Sequence, residues 1–234
     1  TDGEYDTCVE VTWDKPISQK PITEYRVSRK VTSKGDSTYV MLADGLTARE
    51  FRDYIAEPGV DSYSNISCTD DFYAYGNIMS LVNSTNFANS NTLTASYAFA
   101  GLFSNNIHLK NHPSNELVLP ATTLTYYCYC GMFAGCTSLN TAPSLPATKL
   151  TDYCYYGMFA FCTNLTTSPK LPALSLAKYC YYEMFYYCTN LTTTPTLPAT
   201  KLANGCDSDM FTGCQSITAA PDLTAMELAD LCYS

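Results

Sequence analysis

A 26-residue pattern runs four times through the second half of this 234-residue chain and limits its fold more than any other feature. Met-Phe recurs at Met132-Phe133, Met158-Phe159, Met184-Phe185 and Met210-Phe211. One cysteine stands four places before each Met (Cys128, Cys154, Cys180, Cys206) and another four places after it (Cys136, Cys162, Cys188, Cys214). Self-similarity at this period marks a solenoid, because so short a unit cannot hold a core alone and must stack on its neighbours.

Residues 154–179 serve as the type unit. Cys154, Met158 and Cys162 follow i, i+4, i+8, the spacing of one stripe on a short helix. On that wheel Tyr155 and Phe159 flank the stripe, while Tyr156 and Ala160 point away. The Thr-rich stretch 165–171 reads as a short strand, shortened or bulged at Pro169 and ended by Pro172. Leucines hold their places in Leu139, Leu165 and Leu191, in Leu145, Leu171, Leu197 and Leu223, and in Leu150, Leu176, Leu202 and Leu228. A weaker copy lies upstream, where Tyr97 to Phe103 matches Tyr127 to Phe133 place for place. That copy is four residues longer, with the extra length within 110–116. The expected fold of residues 72–234 is therefore an α/β solenoid of helix-plus-short-strand units. Residues 72–97 would cap it, and repeats would start near 98, 128, 154, 180 and 206.

Residues 1–71 read differently. Val9, Val11 and Trp13 alternate with polar residues, as do residues 24–30, and further strands are expected at 38–43, 51–54 and 60–68. Short strands at this spacing suggest a small all-β sandwich, truncated in that its first strand is missing or clipped. Charge supports the division: residues 1–75 hold 14 acidic and 8 basic side chains, residues 76–234 only 8 and 5.

The net charge of −9, with no cluster of Lys and Arg, argues against nucleic acid, whose phosphates demand cationic neutralisation. No run approaches the ~18 apolar residues that suggest a membrane helix, so no membrane insertion is expected within this chain. It opens at Thr1 without a signal peptide and stops at Cys232-Tyr233-Ser234, the start of another repeat, and reads as a processed or truncated piece.

The phrase Met-Phe-x-x-Cys-Thr-x-Leu over 132–139, with Leu-Pro-Ala-Thr-x-Leu over 145–150, resembles the BspA-like (Treponema-type) leucine-rich repeats of bacterial surface proteins. The likeness covers about residues 98–234 and, more weakly, 72–97. It implies a leucine-rich-repeat stack on a secreted or cell-surface protein of the kind common in Bacteroidetes and their phages, engaged in adhesion and without enzymatic activity. In the first module, Val-x-Trp-Asp-x-Pro (11–16), Tyr-Arg-Val-x-Arg (25–29) and Pro-Gly-Val-x-x-Tyr (58–63) are similar to fibronectin type III domains, which implies a spacer or docking platform.

Twelve cysteines raise the question of disulfides or metal. Two cysteines eight apart on one helix lie roughly 12 Å apart, beyond the ~4.4–6.8 Å that a disulfide spans. The eight repeat cysteines are therefore expected as two ladders of small buried side chains, alongside Met132, Met158, Met184 and Met210. Bridges between neighbouring repeats are the other option. Zinc needs convergent ligands, and Cys128-x-Cys130 is too close for that spacing, so neither metal nor cofactor is expected. Cys8 and Cys68 sit on the expected first and last strands of the sandwich and could pair across it, although alternation puts Cys8 opposite Trp13. His108 and His112 could share a metal only on a helix, and Pro113 favours a loop. The acidic groups Asp2/Glu4/Asp6 and Asp70-Asp71 lack calcium-loop spacing and read as surface charge.

Tyrosine is the better functional clue, with 20 copies concentrated in the repeats. On the helical wheel Tyr156, Tyr182 and Tyr186 project outward, with Phe161 and Tyr187 near the core edge. Such a row offers large, stiff contact area with polar tips, or else covers the solenoid and packs between repeats. The opposite face carries Thr141, Thr166, Thr167, Thr192, Thr193 and Thr218 near Lys149, Lys170 and Lys201. Asn65, Asn83, Asn164 and Asn190 fit N-x-Ser/Thr, which matters only where the source glycosylates. Together these features suggest an extracellular or surface-displayed, non-enzymatic protein that recognises protein or glycan on a host or neighbouring cell. The alternative is a structural subunit of a phage or cell appendage; a thiol-dependent enzyme is a remote third.

Overall fold

The computed structural model of the chain describes residues 10–13, 25–33, 36–46, 62–66, 71–82 and 87–234. Among them there is no α-helix. Where the i, i+4 spacing predicts one, between Cys154 and Cys162, the backbone makes a run of overlapping β-turns. The amides of Tyr156, Met158, Ala160 and Cys162 donate three residues back, to the carbonyls of Tyr153, Tyr155, Gly157 and Phe159, at 3.0–3.2 Å. The amides between them point to the next repeat: Tyr155 donates to Cys180 (3.0 Å), Gly157 to Tyr182 (2.8 Å), Phe159 to Met184 (2.9 Å) and Phe161 to Tyr186 (2.7 Å).

The sequence explains why turns replace the helix. Tyr, Phe and Cys are middling helix formers, Gly157 sits mid-segment, and nine residues are too few to hold a helix alone. A helix would also close every amide upon itself, whereas here alternate amides tie one repeat to the next. The turn pattern has a period of four residues, with positive φ at Tyr153 (59°), Gly157 (54°) and Phe161 (61°). Each is the third residue of a turn, the place where a type II turn requires φ > 0. A four-residue period puts Cys154, Met158 and Cys162 on one side just as a helix would, and all three are buried.

Past Cys162 the chain runs extended, but the strand expected over 165–171 is reduced to single parallel bridges. Thr141 pairs with Thr167, and Leu197 with Leu223. The Thr166 amide donates back to Asn140 (3.2 Å) and that of Thr192 to Thr166 (3.0 Å), so this side also binds its neighbours through the backbone. Equivalent side chains stack inside. Phe103, Phe133, Phe159, Phe185 and Phe211 form one file of parallel rings with centroids 5.5–5.8 Å apart. Phe99, Tyr129, Tyr155 and Tyr181 form a second. Both cysteine files and the methionine file are buried, apart from half-buried Cys214.

Strand β5 (Phe72–Asn77) begins the stack side by pairing in parallel with β6 (Leu109–Lys110) and β7 (Leu117–Val118). Its other edge takes β1 (Glu10–Trp13) antiparallel, with Trp13 opposite Phe72. A strand from the expected N-terminal module thus joins the sheet of the repeats. Strands β2 (Tyr25–Ser33), β3 (Asp36–Leu46) and β4 (Ser62–Asn65) form a separate antiparallel sheet in the order β3-β2-β4. The inter-repeat bonding starts earlier than the expected cap, since the Ile66 amide already donates to Leu102 at 2.7 Å. Cys8, Cys68 and the strand expected at 51–54 lie outside the described residues.

Candidate functional site

Positions with positive φ form three columns along the stack, and the outermost pair is largely aromatic. The first holds Tyr97, Tyr127, Tyr153 and Tyr179, with φ of 52–59°, followed by Gly205. A left-handed conformation costs a non-glycine residue ~1–2 kcal/mol. Ring stacking offsets part of that, at ~0.5–1.5 kcal/mol per pair. The three successive ring pairs lie 5.1, 4.5 and 5.1 Å apart and within 15° of parallel. The spacing follows from the backbone bonds between repeats, which hold neighbouring chains ~4.7–4.9 Å apart. Tyr126 leans edge-on against Tyr127 at 4.5 Å and is exposed.

The five aromatics singled out from the sequence lie beside this column, in a different order of exposure. Tyr156 and Tyr182 stack at 5.1 Å and are half-buried, as is Tyr186. Phe161 and Tyr187 stack at 5.6 Å and are the exposed ones, at 49% and 42%. The helical wheel placed them the other way round. Positive φ at Phe161 and Tyr187 swings both rings out of the edge position that a helix would give them. Tyr153 reaches Tyr156 at 6.1 Å and Tyr179 reaches Tyr182 at 5.6 Å, so the first column and the Tyr156–Tyr182 pair form one face. The Tyr97-to-Tyr179 column was not singled out from the sequence. Its signal was tyrosine recurring one place before the first cysteine position of successive units.

Between the aromatic columns runs the middle one: Gly101, Gly131 and Gly157, then Glu183 and Asp209. The Glu183 carboxylate acts electrostatically on the phenols of Tyr156 and Tyr182. Desolvation first, and that carboxylate second, push the Tyr156 phenol up to about 12. The Tyr182 and Tyr186 phenols are also raised, again by desolvation first, with Glu183 and Asp209 both contributing. Asp209 accepts from Ser208 Oγ (3.2 Å) and Thr212 Oγ1 (3.1 Å). Among the described residues the ion pairs are those of Asp71 with Lys110 and His108, so no lysine or arginine there reaches Glu183 or Asp209.

The threonine face is less available. The six threonines are exposed, yet Thr166 Oγ1 donates to the Asn140 carbonyl (3.3 Å) and Thr192 Oγ1 to that of Thr166 (3.0 Å). The cysteines of both files are buried apart from half-buried Cys214. Burial pushes the Cys128 and Cys136 thiols up to about 12 and raises Cys162 and Cys180 well above the usual thiol range. Each thiol of the second file donates to a phenylalanine carbonyl of the preceding repeat, as Cys162 does to Phe133 at 3.0 Å. Half-buried Cys130 is raised to about 12 as well.

The two histidines part company. His108 faces Asp71 at 3.3 Å; the neighbouring Lys110 bond, then His108, hold the Asp71 carboxyl below its usual range despite desolvation. His112 packs its ring on Tyr73 and Tyr75 and accepts the Ser114 and Asn115 amides on Nδ1. The insertion carrying it lines, with Leu139 and Thr141, a cavity of about 300 Å³. There the Asn111 side chain takes the place of a neighbouring peptide group. Its Oδ1 accepts the Asn140 and Thr141 amides (3.0 and 3.1 Å), and its Nδ2 donates to the Thr141 carbonyl (2.9 Å). No group of side chains among the described residues converges as a metal site.

Comparison with protein-family models, with characterised proteins and with solved structures finds no match.

Proposed function

We propose that this chain is a non-enzymatic binding protein displayed on a cell surface or secreted, and that its aromatic face makes the recognition contact. The reading keeps the resemblance to BspA-like leucine-rich-repeat surface proteins as its frame. The observation that carries it is the aromatic face itself. Six aromatic residues occupy left-handed positions that glycine would fill without cost: Tyr97, Tyr127, Tyr153, Tyr179, Phe161 and Tyr187. Strain held in a surface row points to use of that row. Interior packing is met by the buried ring files and does not need these side chains. Threonine hydroxyls already engaged with backbone carbonyls make the opposite face the weaker candidate.

The test is a screen of glycan and surface-protein arrays, with the intact chain set against a Tyr156→Ala/Tyr182→Ala/Tyr186→Ala variant. A partner bound by the intact chain and lost in the variant supports the reading. Binding that persists unchanged removes these three rings from the contact, and the same screen with Tyr153→Ala/Phe161→Ala/Tyr179→Ala/Tyr187→Ala then tests the left-handed rings; persistence there too assigns recognition to another surface. Light scattering addresses the alternative of an appendage subunit, for which a stable high-order assembly is expected.

A further inference from the structure

Glu183 and Asp209 continue a column that is glycine in the three preceding repeats, at Gly101, Gly131 and Gly157. They bring two carboxylates into adjacent repeats in the middle of the aromatic face. The rings beside them leave faces uncovered. Tyr127 and Tyr153 have rings stacked on both sides. Tyr182 stacks only backward, on Tyr156, because the same position in the next repeat is Ser208. Tyr186 has Ala160 behind it and Thr212 ahead, and touches Phe161 and Tyr187 only at steep angles of 79° and 59°. Ring faces and uncompensated carboxylates therefore coincide here. Among the described residues no lysine or arginine forms an ion pair with either carboxylate.

We infer that the cluster of Tyr182, Glu183, Tyr186 and Asp209 seats an arginine side chain from a cationic segment of a protein partner. This deepens the binding reading above and rests on it. A guanidinium is planar, lies on an aromatic face and donates to a carboxylate at the same time. Charge complementarity selects it over the alternatives. A neutral sugar could use a ring face but would leave both carboxylates without a counter-charge, and a polyanion would be repelled.

The probe is a capped octapeptide of alternating serine and arginine, titrated calorimetrically into the intact chain at low salt. The same peptide with lysine, citrulline or glutamate in place of arginine serves for comparison. Binding is expected for arginine, more weakly for lysine, and at least tenfold weaker for citrulline. The decisive variant is Glu183→Gly/Asp209→Gly, which restores the residue of the earlier repeats and relieves two left-handed side chains, so its thermal midpoint should not fall. It is expected to lose at least tenfold in affinity for the arginine peptide. Equal binding by this variant, equal binding of the citrulline peptide, or no binding of the arginine peptide overturns the inference. A partner found on the arrays that ignores Glu183→Gly/Asp209→Gly but is lost in the triple tyrosine variant removes this inference and leaves the general reading standing.

Discussion

The ring of Tyr179 lies directly over the α-carbon of Gly205, so that a Cβ built on Gly205 would sit 2.3 Å from Tyr179 Cε1. The tyrosine file therefore ends on a glycine for a steric reason as well as a conformational one. Gly205→Ala is expected to cost about 3 kcal/mol, adding overpacking of ~1–3 to a left-handed penalty of ~1–2. Gly157→Ala makes the control. Its Cβ would meet only Ala160 Cβ, at 3.9 Å, and its cost should stay at the left-handed ~1–2 kcal/mol. Urea unfolding of the two variants side by side checks the difference.

Asp207 occupies the position that Tyr129, Tyr155 and Tyr181 fill in the preceding repeats, and it is buried with Oδ1 lacking a hydrogen-bond partner. Desolvation pushes its carboxyl up from 3.8 to about 7, partly countered by the Cys206 thiol. The folded chain thus holds this proton more tightly than the unfolded chain. Stability should fall as pH rises from 3.8 towards about 7 and level off above that. Asp207→Asn should abolish this dependence and gain on the order of 2–4 kcal/mol at pH 8, read from urea midpoints at pH 4, 6 and 8.

Alkylation separates buried thiols from bridged ones. Iodoacetamide at pH 8 should leave Cys128, Cys154, Cys162 and Cys180 unmodified in the native chain, because each is buried and its thiol is held well above that pH. In denaturant without reductant the same four should label to completion. Mass spectrometry that instead finds them quantitatively oxidised would establish bridges between neighbouring repeats.

Asn111 substitutes for a peptide group that the insertion displaces. Asn111→Ala is expected to destabilise the chain by about 0.5–1.5 kcal/mol, since it removes the side-chain acceptor of the Asn140 and Thr141 amides, which are exposed and can turn to water. Hydrogen exchange at the Thr141 amide should speed up in this variant while exchange at the Met158 amide, inside the next repeat, stays slow.

The repeat boundaries and most of the inward columns could be read from the chain, because the units from Cys128 onward place Cys, Met, Phe and Leu at fixed offsets, although Leu223 and Leu228 of the last unit are exposed. The backbone carrying them could not. A helix and a run of alternating turns both return to one face after about four residues, so Cys154, Met158 and Cys162 fit either. Glycine at 131 and 157 was the available hint of left-handed geometry; tyrosine and phenylalanine at equivalent positions masked it, since neither residue favours φ > 0. For the same reason the exposed status of Phe161 and Tyr187 was hidden. The pairing of β1 with β5 joins residues some sixty apart, and no local pattern announces it.

Because alternate backbone amides fasten each repeat to its neighbour whatever side chains are present, the outward positions are free to vary. One such half-buried site reads Cys130, Tyr156 and Tyr182 in successive repeats, and the amides of Gly131 and Gly157 beside it donate to the next repeat all the same. New specificities can therefore be written on this surface by point substitution, without renegotiating the scaffold.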